Sequence, residues 1–352
     1  ARIKATKAAR DASACEAALK ELTHAAREGG NLLEYAVRAA RQRATLGEIS
    51  DAMEAAFGRY GTQPVPVKGI YGPAYADDAR YAAVMRRISF SISAHAKDVW
   101  TDDEWDLKEK LQAARFVAIC NQAGQARLAS LMPKERLHLI HHGIAPELIA
   151  AGARVQSRDG AADNDPVRLI CIARAVEKKG IATLLRALAL LPRDLHVRLN
   201  HHGDGELLGT LRQLSDTLGL GGRVRFHGPS AHAEAMAALD DRDLFVLPAS
   251  VARSGDRDGI PNALLEAKAR GIAVIAGDAG GTSEAVKDRQ TGRLVPADAP
   301  DILAKAIEEL ARNPALRMQF ASAALSNDAS LLNASPGHDE IAGLLRQAMG
   351  DA

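Results

Sequence analysis

Cysteine is scarce in this sequence, and the thiols that are present show no pairing pattern. The 352 residues contain three cysteines, Cys15, Cys120 and Cys171, which lie far apart and without C-x-x-C spacing. This odd, scattered set excludes the disulfide framework that holds many small secreted domains together. Each cysteine falls in a helix-like or strand-like segment, so we interpret all three as buried thiols in a reducing compartment.

Long hydrophobic runs and an excess of one charge sign are also missing. A bilayer-spanning helix needs roughly 18 to 20 apolar residues, whereas even the apolar stretch 183–191 contains Arg186. The net charge of +1 provides no general attraction to nucleic acid or anionic lipid. Residues 1–4 include neither an initiator methionine nor the apolar core of a signal peptide, so we expect the chain to begin inside a longer one. Together these absences predict a soluble, cytoplasmic protein with no nucleic-acid partner and no transmembrane segment.

Aromatic residues are the third shortage, at 4% of the chain, while alanine and leucine are abundant. This composition favours helices packed on parallel strands over an all-β sandwich. The hydrophobic fraction of 47% is ordinary for a globular protein, and the length leaves room for two or three domains. The predicted fold class is therefore α/β.

The first part of the chain, to about residue 57, has helical patterns only. An alanine-rich helix to about Ala26 is followed by two quartets that resemble capping boxes, 31–34 and 45–48. In each quartet the side chain of Asn31 or Thr45 can accept from the amide three residues later, while Glu34 or Glu48 reaches back. Two further helices are expected to start there.

This helical part resembles the end of the catalytic barrel domain of methylmalonyl-CoA mutase. In that family the segment is helical scaffold that leads toward a cobalamin domain. The cobalamin signature, Asp-x-His-x-x-Gly, is approached only at Asp194 and His196, where Leu199 replaces the glycine, so we interpret His196 as a strand residue and expect no cobalamin site. The stretches that match the mutase are Ala8-Ala9-Arg10-Asp11, Gly30-Asn31-Leu32-Leu33, Ala39-Ala40-Arg41 and 43–52. Residues 71–76 are the last stretch that resembles it.

A seam is expected near 79–86, and after it the pattern alternates between strands and helices. Predicted strands at 90–94, 116–120 and 137–141 form only the closing portion of a Rossmann-like domain. A polar segment, 156–166, then predicts a weakly ordered hinge. Beyond it, strands near 168–173, 196–200, 224–226, 244–247 and 273–276 alternate with helices, as in an intact doubly wound parallel sheet. The expected domains are thus 1–80, 81–155 and 156–352.

Two carboxylates mark the most informative stretch of the sequence. Asp258 lies in a loop that enters a helix opened by Pro261, and Glu266 follows about two turns later. Both acids are expected to face one cleft. The alternative is an ordinary loop-to-helix junction whose acids cap the helix and meet solvent.

This stretch resembles the donor-binding signature of glycosyltransferase family 4, in which two Glu residues separated by seven others bracket the nucleotide sugar. Asp258 stands in place of the first Glu and keeps its charge with a shorter reach. The resemblance implies that Glu266 hydrogen-bonds ribose hydroxyls and that Asp258 lies nearer the transferred sugar. The further donor-binding residues that it implies are Gly259, Gly280, Gly281 and Glu284, since two glycines before a helix can present amides to phosphate or sugar oxygens.

The same resemblance implies cations for the donor diphosphate. Arg174 and Lys179 match the family's Gly-Arg, short loop, Lys-Gly pattern, with Ala173 in place of the usual glycine. An arginine fork and a mobile lysine suit the charge that grows on a leaving diphosphate, and the alternative is a loop of solvated cations. His95 matches a family residue that contacts the donor sugar, and His142 is a second candidate; a structural role for each stays open.

The family resemblance implies a GT-B-like fold of two facing Rossmann-like domains, here with a truncated N-terminal, acceptor-side domain and an intact nucleotide-sugar domain. It also implies a hexosyltransferase that retains anomeric configuration, uses a nucleoside-diphosphate sugar and needs no metal. The Asp241-Arg242-Asp243 run has metal-motif letters, but we interpret it as a turn before a strand. A glycan or lipid-linked acceptor and a peripheral membrane contact are left open. So are two alternatives: an inactive nucleotide-binding remnant, and a helical interaction module related to the mutase.

Overall fold

The computed structural model describes residues 6–57, 80, 83, 85, 89–154 and 157–350, apart from the side chains of residues 349 and 350. The chain divides into two compact units, Ala1–Ile70 and Tyr71–Ala352. The mutase-like trace at 71–76 and most of the expected seam at 79–86 lie outside the described residues.

Three helices of the first unit share one small core. Leu22, Ala39 and Ile49 are buried at the centre of this core, one from each helix. The first helix begins at Asp11, whose carboxylate accepts from the amide of Ala14 at 3.0 Å. The helices are α1 (Ala12–Glu28), α2 (Leu32–Arg41) and α3 (Leu46–Phe57).

One of the two expected capping boxes is complete and the other is half formed. At the start of α3, the amide of Thr45 donates to Glu48 at 2.8 Å and the amide of Glu48 donates to the Thr45 hydroxyl at 3.3 Å. At the start of α2, Asn31 accepts from the amide of Glu34 at 3.4 Å. Glu34 does not reach back, because Arg38 one turn later donates to it at 2.5 Å.

The second unit contains two parallel sheets, of which the first is small. Its strands are β1 (Ile92–Ala94), β2 (Val117–Ile119) and β3 (Leu137–Leu139), paired in the order β1-β2-β3. All three predicted strands are present and are shorter than expected. Three helices accompany them: α4 (Ala96–Trp100), α5 (Glu104–Ala113) and α6 (Gln122–Leu128).

The second sheet has six parallel strands in the order β6-β5-β4-β7-β8-β9. Its strands are β4 (Val167–Ile172), β5 (Val197–His202), β6 (Val224–Gly228), β7 (Leu244–Leu247), β8 (Ala273–Asp278) and β9 (Arg293–Pro296). Nine helices flank or follow it in the described part of the chain: α7 (Ile181–Ala189), α8 (Leu208–Thr217), α9 (His232–Leu239), α10 (Asn262–Ala269), α11 (Thr282–Ala285), α12 (Pro300–Ala311), α13 (Pro314–Asn327), α14 (Ala329–Leu332) and α15 (Ser335–Gly350). The predicted α/β class is confirmed.

The sequence analysis missed β9, which has a physical explanation. Only two of its four residues, Leu294 and Val295, are apolar, so the segment has no run or alternation long enough to indicate a strand. Its first residue, Arg293, is buried and pairs with Asp288 at 3.0 Å and with Glu309. Ion pairing from neighbouring segments thus permits a charged residue in this edge strand.

The order of the six strands decides where a ligand can bind. Strand order reverses between β4 and β7, which are hydrogen-bonded neighbours in the sheet. In open α/β sheets, the loops that leave the carboxyl ends of two such strands diverge and open a crevice. The loops after β4 and after β7 carry the Arg174–Lys179 and Asp258 motifs respectively.

The segment expected to be a weakly ordered hinge is anchored instead, where the structure describes it at 157–166. Arg158 donates to Asp165 at 2.8 Å and to the buried Asp243 at 3.1 Å, and the Arg158 carbonyl oxygen accepts from Arg317 at 2.5 Å. Composition could not reveal these partners because two of them lie far along the chain. Asp243 also caps β4 through the amide of Arg168 at 2.7 Å, which confirms that the 241–243 run is a structural turn between α9 and β7.

Among the residues that the structure describes, no helix is both long enough and apolar enough to cross a membrane.

A buried histidine makes the stability of the large sheet pH-dependent. His201, near the end of β5, is fully buried and donates through Nε2 to the carbonyl oxygen of Ala173 at 3.0 Å. Its other nitrogen, Nδ1, has no hydrogen-bond partner within the described part of the chain. Burial, which disfavours the charged imidazolium, lowers the pKa of His201 to about 4. The unfolded chain therefore binds a proton here at a higher pH than the folded chain does.

We expect His201→Gln to weaken the pH dependence of unfolding, because glutamine keeps the donor to Ala173 and does not titrate. The pKa of this histidine is about 6.5 in the unfolded chain and about 4 in the folded chain. At pH 5 the unfolded chain is therefore protonated here while the folded chain is not, which lowers the free energy of unfolding by about 2 kcal/mol relative to neutral pH. This contribution is present above about pH 6.5 and is lost as the pH falls toward 4. Urea unfolding at pH 7.5 and pH 5 measures it. The exposed His338→Gln is the control, and an equal pH dependence in His201→Gln and wild type would contradict the assignment.

Candidate functional site

An ion-paired cluster joins the loops after β4 and β7 at the crevice. Nζ of Lys179 lies 2.5 Å from Oδ2 of Asp258, and Nζ of Lys178 lies 3.4 Å from Oδ1 of the same carboxylate. Lys178 also pairs with Asp256 at 3.0 Å. We call these four residues the switch-point cluster. Its two lysines and two aspartates balance in charge, and its members lie almost eighty residues apart in sequence.

The carboxylate of Asp258 is buried yet remains ionised. Burial by itself raises the pKa of this carboxyl, but the ammonium groups of Lys179 and Lys178 outweigh burial and hold the pKa below its usual range. A buried carboxylate with two cations within 3.5 Å is a fixed negative charge at neutral pH. Asp258 can therefore accept hydrogen bonds or oppose a positive charge, but it cannot donate a proton.

Glycines allow the loops of the cluster to approach other backbone segments closely. Gly180 has a φ of +63°, and a Cβ atom there would lie 1.8 Å from the carbonyl oxygen of Pro248 at the end of β7. Gly280 has a φ of +61°, and its Cβ would lie 1.9 Å from the carbonyl oxygen of Asp258. The amide of Gly281 donates to Asp258 and Gly259 carbonyl oxygens at 3.3 and 3.2 Å. The paired glycines thus hold the Asp258 loop in position.

A cavity of about 620 Å³ brings together several predicted site residues. His95 and His142 approach it from the small sheet, whereas Lys179, Asp258 and Gly259 approach it from the large one. Four of these five residues were predicted as donor-site residues from three separate segments of sequence, and His142 was the additional candidate. They meet because the cavity is lined by residues that follow the carboxyl ends of strands in both sheets.

Glu266 lies one helix turn beyond Asn262, which borders the cavity of Asp258. It projects from α10 into a separate cavity of about 200 Å³, which Met236 also lines, and Asn262 borders both cavities. Oε1 of Glu266 lies 3.0 Å from Nε2 of His232. Asp258 and Glu266 therefore line two adjoining cavities that share Asn262. The neighbouring His232 was not identified from the sequence.

Arg174 stands apart from the switch-point cluster. Its side chain is exposed in the loop after β4, and no hydrogen bond or ion pair involves its guanidinium within the described residues. The backbone on either side is held: the amide of Ala173 donates to the carbonyl oxygen of His202 at 3.0 Å, and that of Ala175 donates to Asp204 at 2.9 Å. The exposed guanidinium of Arg174, on a hydrogen-bonded backbone, is therefore available to an anionic ligand.

Glu284 bridges the two sheets instead of facing the cavity. Its carboxylate accepts from the amide of Gln122 with both oxygens at 2.8 Å and from the amide of Ala123 at 3.2 Å. It thereby caps the N-terminus of α6, where free amides and the helix dipole favour an anion. His141 lies at the same carboxylate, with Nε2 4.0 Å from Oε2. The sequence contained no sign of this contact, since the partners are about 160 residues apart.

His95, Cys120 and His142 lie together at the small-sheet side of the cavity. His95 follows β1 directly, as predicted, and its ring centroid lies 5.2 Å from that of His142. Burial lowers the pKa of both imidazoles, and burial raises the pKa of the Cys120 thiol. Cys120 was interpreted from the sequence only as a buried thiol, and its position at the cavity was not foreseen.

Two families match different parts of this chain. Residues 154–326 match the family described as glycosyl transferases group 1, and residues 1–59 match methylmalonyl-CoA mutase. Over 88 residues the chain is 51% identical to the methylmalonyl-CoA mutase of Cereibacter sphaeroides, covering 25% of this chain and 12% of that protein. The predicted composite of two families is confirmed.

The part of the chain that matches glycosyl transferases group 1 has relatives with named activities. A GDP-mannose-dependent alpha-(1-6)-phosphatidylinositol monomannoside mannosyltransferase of Mycobacterium tuberculosis is 35% identical over 163 residues, which is 46% of this chain and 42% of that enzyme. The amylovoran biosynthesis glycosyltransferase AmsK of Erwinia amylovora is 29% identical over 184 residues, 52% of this chain and 44% of that protein. The chain thus spans less than half the length of these relatives.

Solved glycosyltransferase structures share the fold. The structure of Anabaena Alr3699/HepE in complex with UDP-glucose superposes with a TM-score of 0.67 at 21% identity, covering 78% of this chain and 77% of that one. Sucrose-phosphate synthase of Thermosynechococcus elongatus has a TM-score of 0.60 at 23% identity, covering 71% and 62%. The predicted GT-B-like arrangement of the second unit is confirmed.

We expect Gly180→Ala to lower the free energy of unfolding by more than about 1 kcal/mol, because alanine is strained at positive φ and its methyl group would overlap Pro248. Urea denaturation measures the change. Gly209→Ala is the matched control: this glycine lies in α8 with open space around it, so alanine should be neutral or stabilising by up to about 1 kcal/mol. Equal effects of the two substitutions would show that the β4 loop does not need glycine.

Glu284→Ala should destabilise the second unit by about 1–2 kcal/mol, since two amides at the start of α6 lose their charged acceptor. Chemical denaturation monitored by circular dichroism measures the loss. The exposed Glu147→Ala is the control and should change stability by less than about 0.5 kcal/mol. A loss no larger than the control's would mean that water satisfies these amides equally well.

Proposed function

We propose that this chain, whose residues 154–326 match glycosyl transferases group 1 and whose residues 1–59 match methylmalonyl-CoA mutase, transfers a sugar from a nucleoside-diphosphate donor to an acceptor hydroxyl. The observation that carries the proposal is the ion pair between Lys179 and the buried Asp258, located where the strand order reverses and facing a cavity of about 620 Å³. This is the position at which open α/β sheets bind their ligands.

The cations of the crevice suit a diphosphate leaving group. Arg174 offers a planar fork to phosphate oxygens, and Lys179 can turn toward the same anion. Lys178, within 3.4 Å of Asp258, keeps that buried carboxylate paired if Lys179 moves to the donor. The negative charge that grows on the diphosphate during transfer would then be stabilised by groups already in position, so no metal ion is required for that step.

The sugar and the ribose would be held by other residues of the two cavities. Asp258 presents a fixed negative charge to the donor sugar, and His95 approaches the same cavity from the small sheet. Glu266 would accept hydrogen bonds from ribose hydroxyls in the adjacent cavity, where His232 fixes its carboxylate at 3.0 Å. Retention of anomeric configuration is part of the proposal and follows from the family resemblance.

The donor base and the acceptor are proposed only as classes. The Mycobacterium tuberculosis relative is named as GDP-mannose-dependent, and the similar Anabaena structure contains UDP-glucose. A glycan or lipid-linked acceptor at the cytoplasmic side of a membrane agrees with the amylovoran biosynthesis and the phosphatidylinositol monomannoside that relatives' names mention. Peripheral contact with the membrane would then suffice, without a membrane-spanning segment.

One observation favours a second candidate, a domain that binds the nucleotide without transferring the sugar. In the described residues the acceptor side supplies a three-stranded sheet, whereas the donor side has six strands. A donor site formed mainly by the larger sheet can keep affinity even where the acceptor pocket is incomplete. The two candidates differ in turnover and agree in donor binding.

We expect UDP, GDP or ADP to raise the melting temperature of the full chain, and the responding nucleotide identifies the base. A ligand at a hundred times its dissociation constant stabilises the folded state by about 2.7 kcal/mol, enough for a measurable thermal shift. The shift should shrink strongly in Arg174→Ala. Arg193→Ala is the matched control, because Arg193 is exposed in the loop that precedes β5, at the opposite ends of the strands.

The outcomes separate the candidates. A nucleotide shift that depends on Arg174, followed by sugar release or transfer from the matching nucleotide sugar, supports the transferase. The same shift with no turnover on any glycan or lipid-linked acceptor supports the nucleotide-binding domain. No shift with any nucleotide, in a sample that melts cooperatively, would overturn both.

A further inference from the structure

The short helix α4 carries a cavity residue at its start and a contact with the large-sheet side at its end. It begins after His95, whose amide donates to the carboxylate of Asp98 at 3.0 Å, and it ends at Trp100. His95 lines the cavity of about 620 Å³, whereas Trp100 contacts Arg257 in the loop after β7. Since a helix rises about 1.5 Å per residue, α4 separates these two positions by only about 7 Å.

The contact between Trp100 and Arg257 is a cation–π interaction. The guanidinium carbon of Arg257 lies 4.2 Å from the centroid of the indole ring. Both side chains are half-buried, and partial shielding from water strengthens the attraction between a cation and an aromatic face. Nε of Arg257 also donates to the carbonyl oxygen of Gly255 at 3.1 Å, which fixes the guanidinium relative to its own loop.

Arg257 lies in sequence between the two aspartates of the switch-point cluster. Asp256 and Asp258 both pair with Lys178, at 3.0 and 3.4 Å. Nζ of Lys178 also donates to the carbonyl oxygen of Arg257 at 3.5 Å. Because the cluster holds the chain on both sides of Arg257, the positions of its guanidinium and of the Asp258 carboxylate depend on each other. Trp100 therefore acts on Asp258 through Arg257.

Each partner of this contact is anchored to its own sheet. Val99 of α4 is buried in the core of the small sheet, and Trp100 packs against the same core. On the other side, the carbonyl oxygen of Asp258 accepts from the amide of Gly281 at 3.3 Å, in the loop after β8. The contact thus joins two elements that are fixed independently, so it can set the distance between them.

We propose that Trp100 is a positioning residue for the donor sugar: by stacking on Arg257, it sets the separation of His95 and Asp258 across the cavity. The inference rests on the proposed function, in which those two residues approach the sugar from different sheets. Neither Trp100 nor Arg257 lines the cavity, so both act through other residues. The diphosphate cations lie on the large-sheet side, and nucleotide binding is therefore independent of this contact.

Titration calorimetry on the full chain tests this role by comparing each nucleotide with its sugar ester: UDP with UDP-glucose, GDP with GDP-mannose and ADP with ADP-glucose. We expect Arg257→Gln to weaken binding of the responding nucleotide sugar by about five- to tenfold, the size of one cation–π contact. Affinity for the nucleotide alone should stay unchanged. Arg257→Lys keeps a cation for the indole face and should recover part of the loss.

Arg253→Gln is the matched control for the arginine substitution. Arg253 lies in the same loop after β7, and its exposed side chain pairs with Glu177 at 3.0 Å. Because this exposed pair contacts neither Trp100 nor Asp258, its loss should leave the affinities for the nucleotide and for the nucleotide sugar unchanged.

A double variant shows whether Arg257 acts through Trp100. Trp100→Leu keeps an apolar side chain against the small-sheet core and removes the aromatic face. If the two residues act as one contact, the double variant should bind the nucleotide sugar no more weakly than the weaker single variant. Additive losses would overturn the role of Trp100. If Trp100→Leu does not fold, the partial recovery in Arg257→Lys decides, and no recovery would overturn that role.

The outcomes separate this inference from the proposed function. Wild-type affinity for the nucleotide sugar in Arg257→Gln would overturn the inference and leave the proposed function intact. Equal losses of affinity for the nucleotide and its sugar ester would also overturn it, because they indicate general damage to the donor site. If the wild type melts cooperatively and binds none of these ligands, the proposed function is overturned and the inference falls with it.

Discussion

The switch-point cluster is the interaction on which the rest of the site depends. Lys178 and Lys179 in the loop after β4 neutralise Asp256 and Asp258 in the loop after β7, and they do so where burial would otherwise expel a carboxylate. Without the ammonium groups, Asp258 would take up a proton or the loop would open to water. The cluster thereby sets the position of the α10 entry and of the Gly259 backbone that borders the cavity.

The cluster has two steric requirements, and a nearby carboxylate joins the two sheets. Gly180 lets the β4 loop pass over the end of β7, and Gly280 lets the β8 loop pass over Asp258. Glu284, just beyond these glycines, caps α6 and so ties the large sheet to the small one. Close backbone approaches at the glycines and the capping of α6 by Glu284 thus position the loops that line the cavity.

The small sheet contributes chemistry to the same cavity in a different manner. His95, Cys120 and His142 come together because parallel strands end at one edge, and nothing in their sequence spacing resembles a metal motif. Strand register in the small sheet, together with the loop after β3, therefore determines which polar side chains face the cavity on this side.

Local patterns were enough to predict much of the structure. The helical start, the three short strands, the five strands of the large sheet that have clear apolar runs, and the position of the turn at 241–243 all follow from periodicity and capping chemistry. The half-formed box at Glu34, the missed strand β9 and the ordered 157–166 segment departed from expectation for one reason. In each case an arginine forms an ion pair that the sequence pattern did not predict. These pairs are Arg38 with Glu34, Arg293 with Asp288, and Arg158 with Asp243.

The sequence by itself determined the fold class, the composite of two families and the residue types available at the crevice, because these depend on composition, periodicity and motif order. Only the tertiary structure decided how those residues are used. It paired Lys179 with Asp258, directed Glu284 to the N-terminus of α6 and directed Glu266 into an adjoining cavity. It also brought Cys120 close to two histidines. The physical reason is that strand order and loop crossing determine which distant side chains meet, and hydrogen-bond geometry then decides among several chemically equivalent partners.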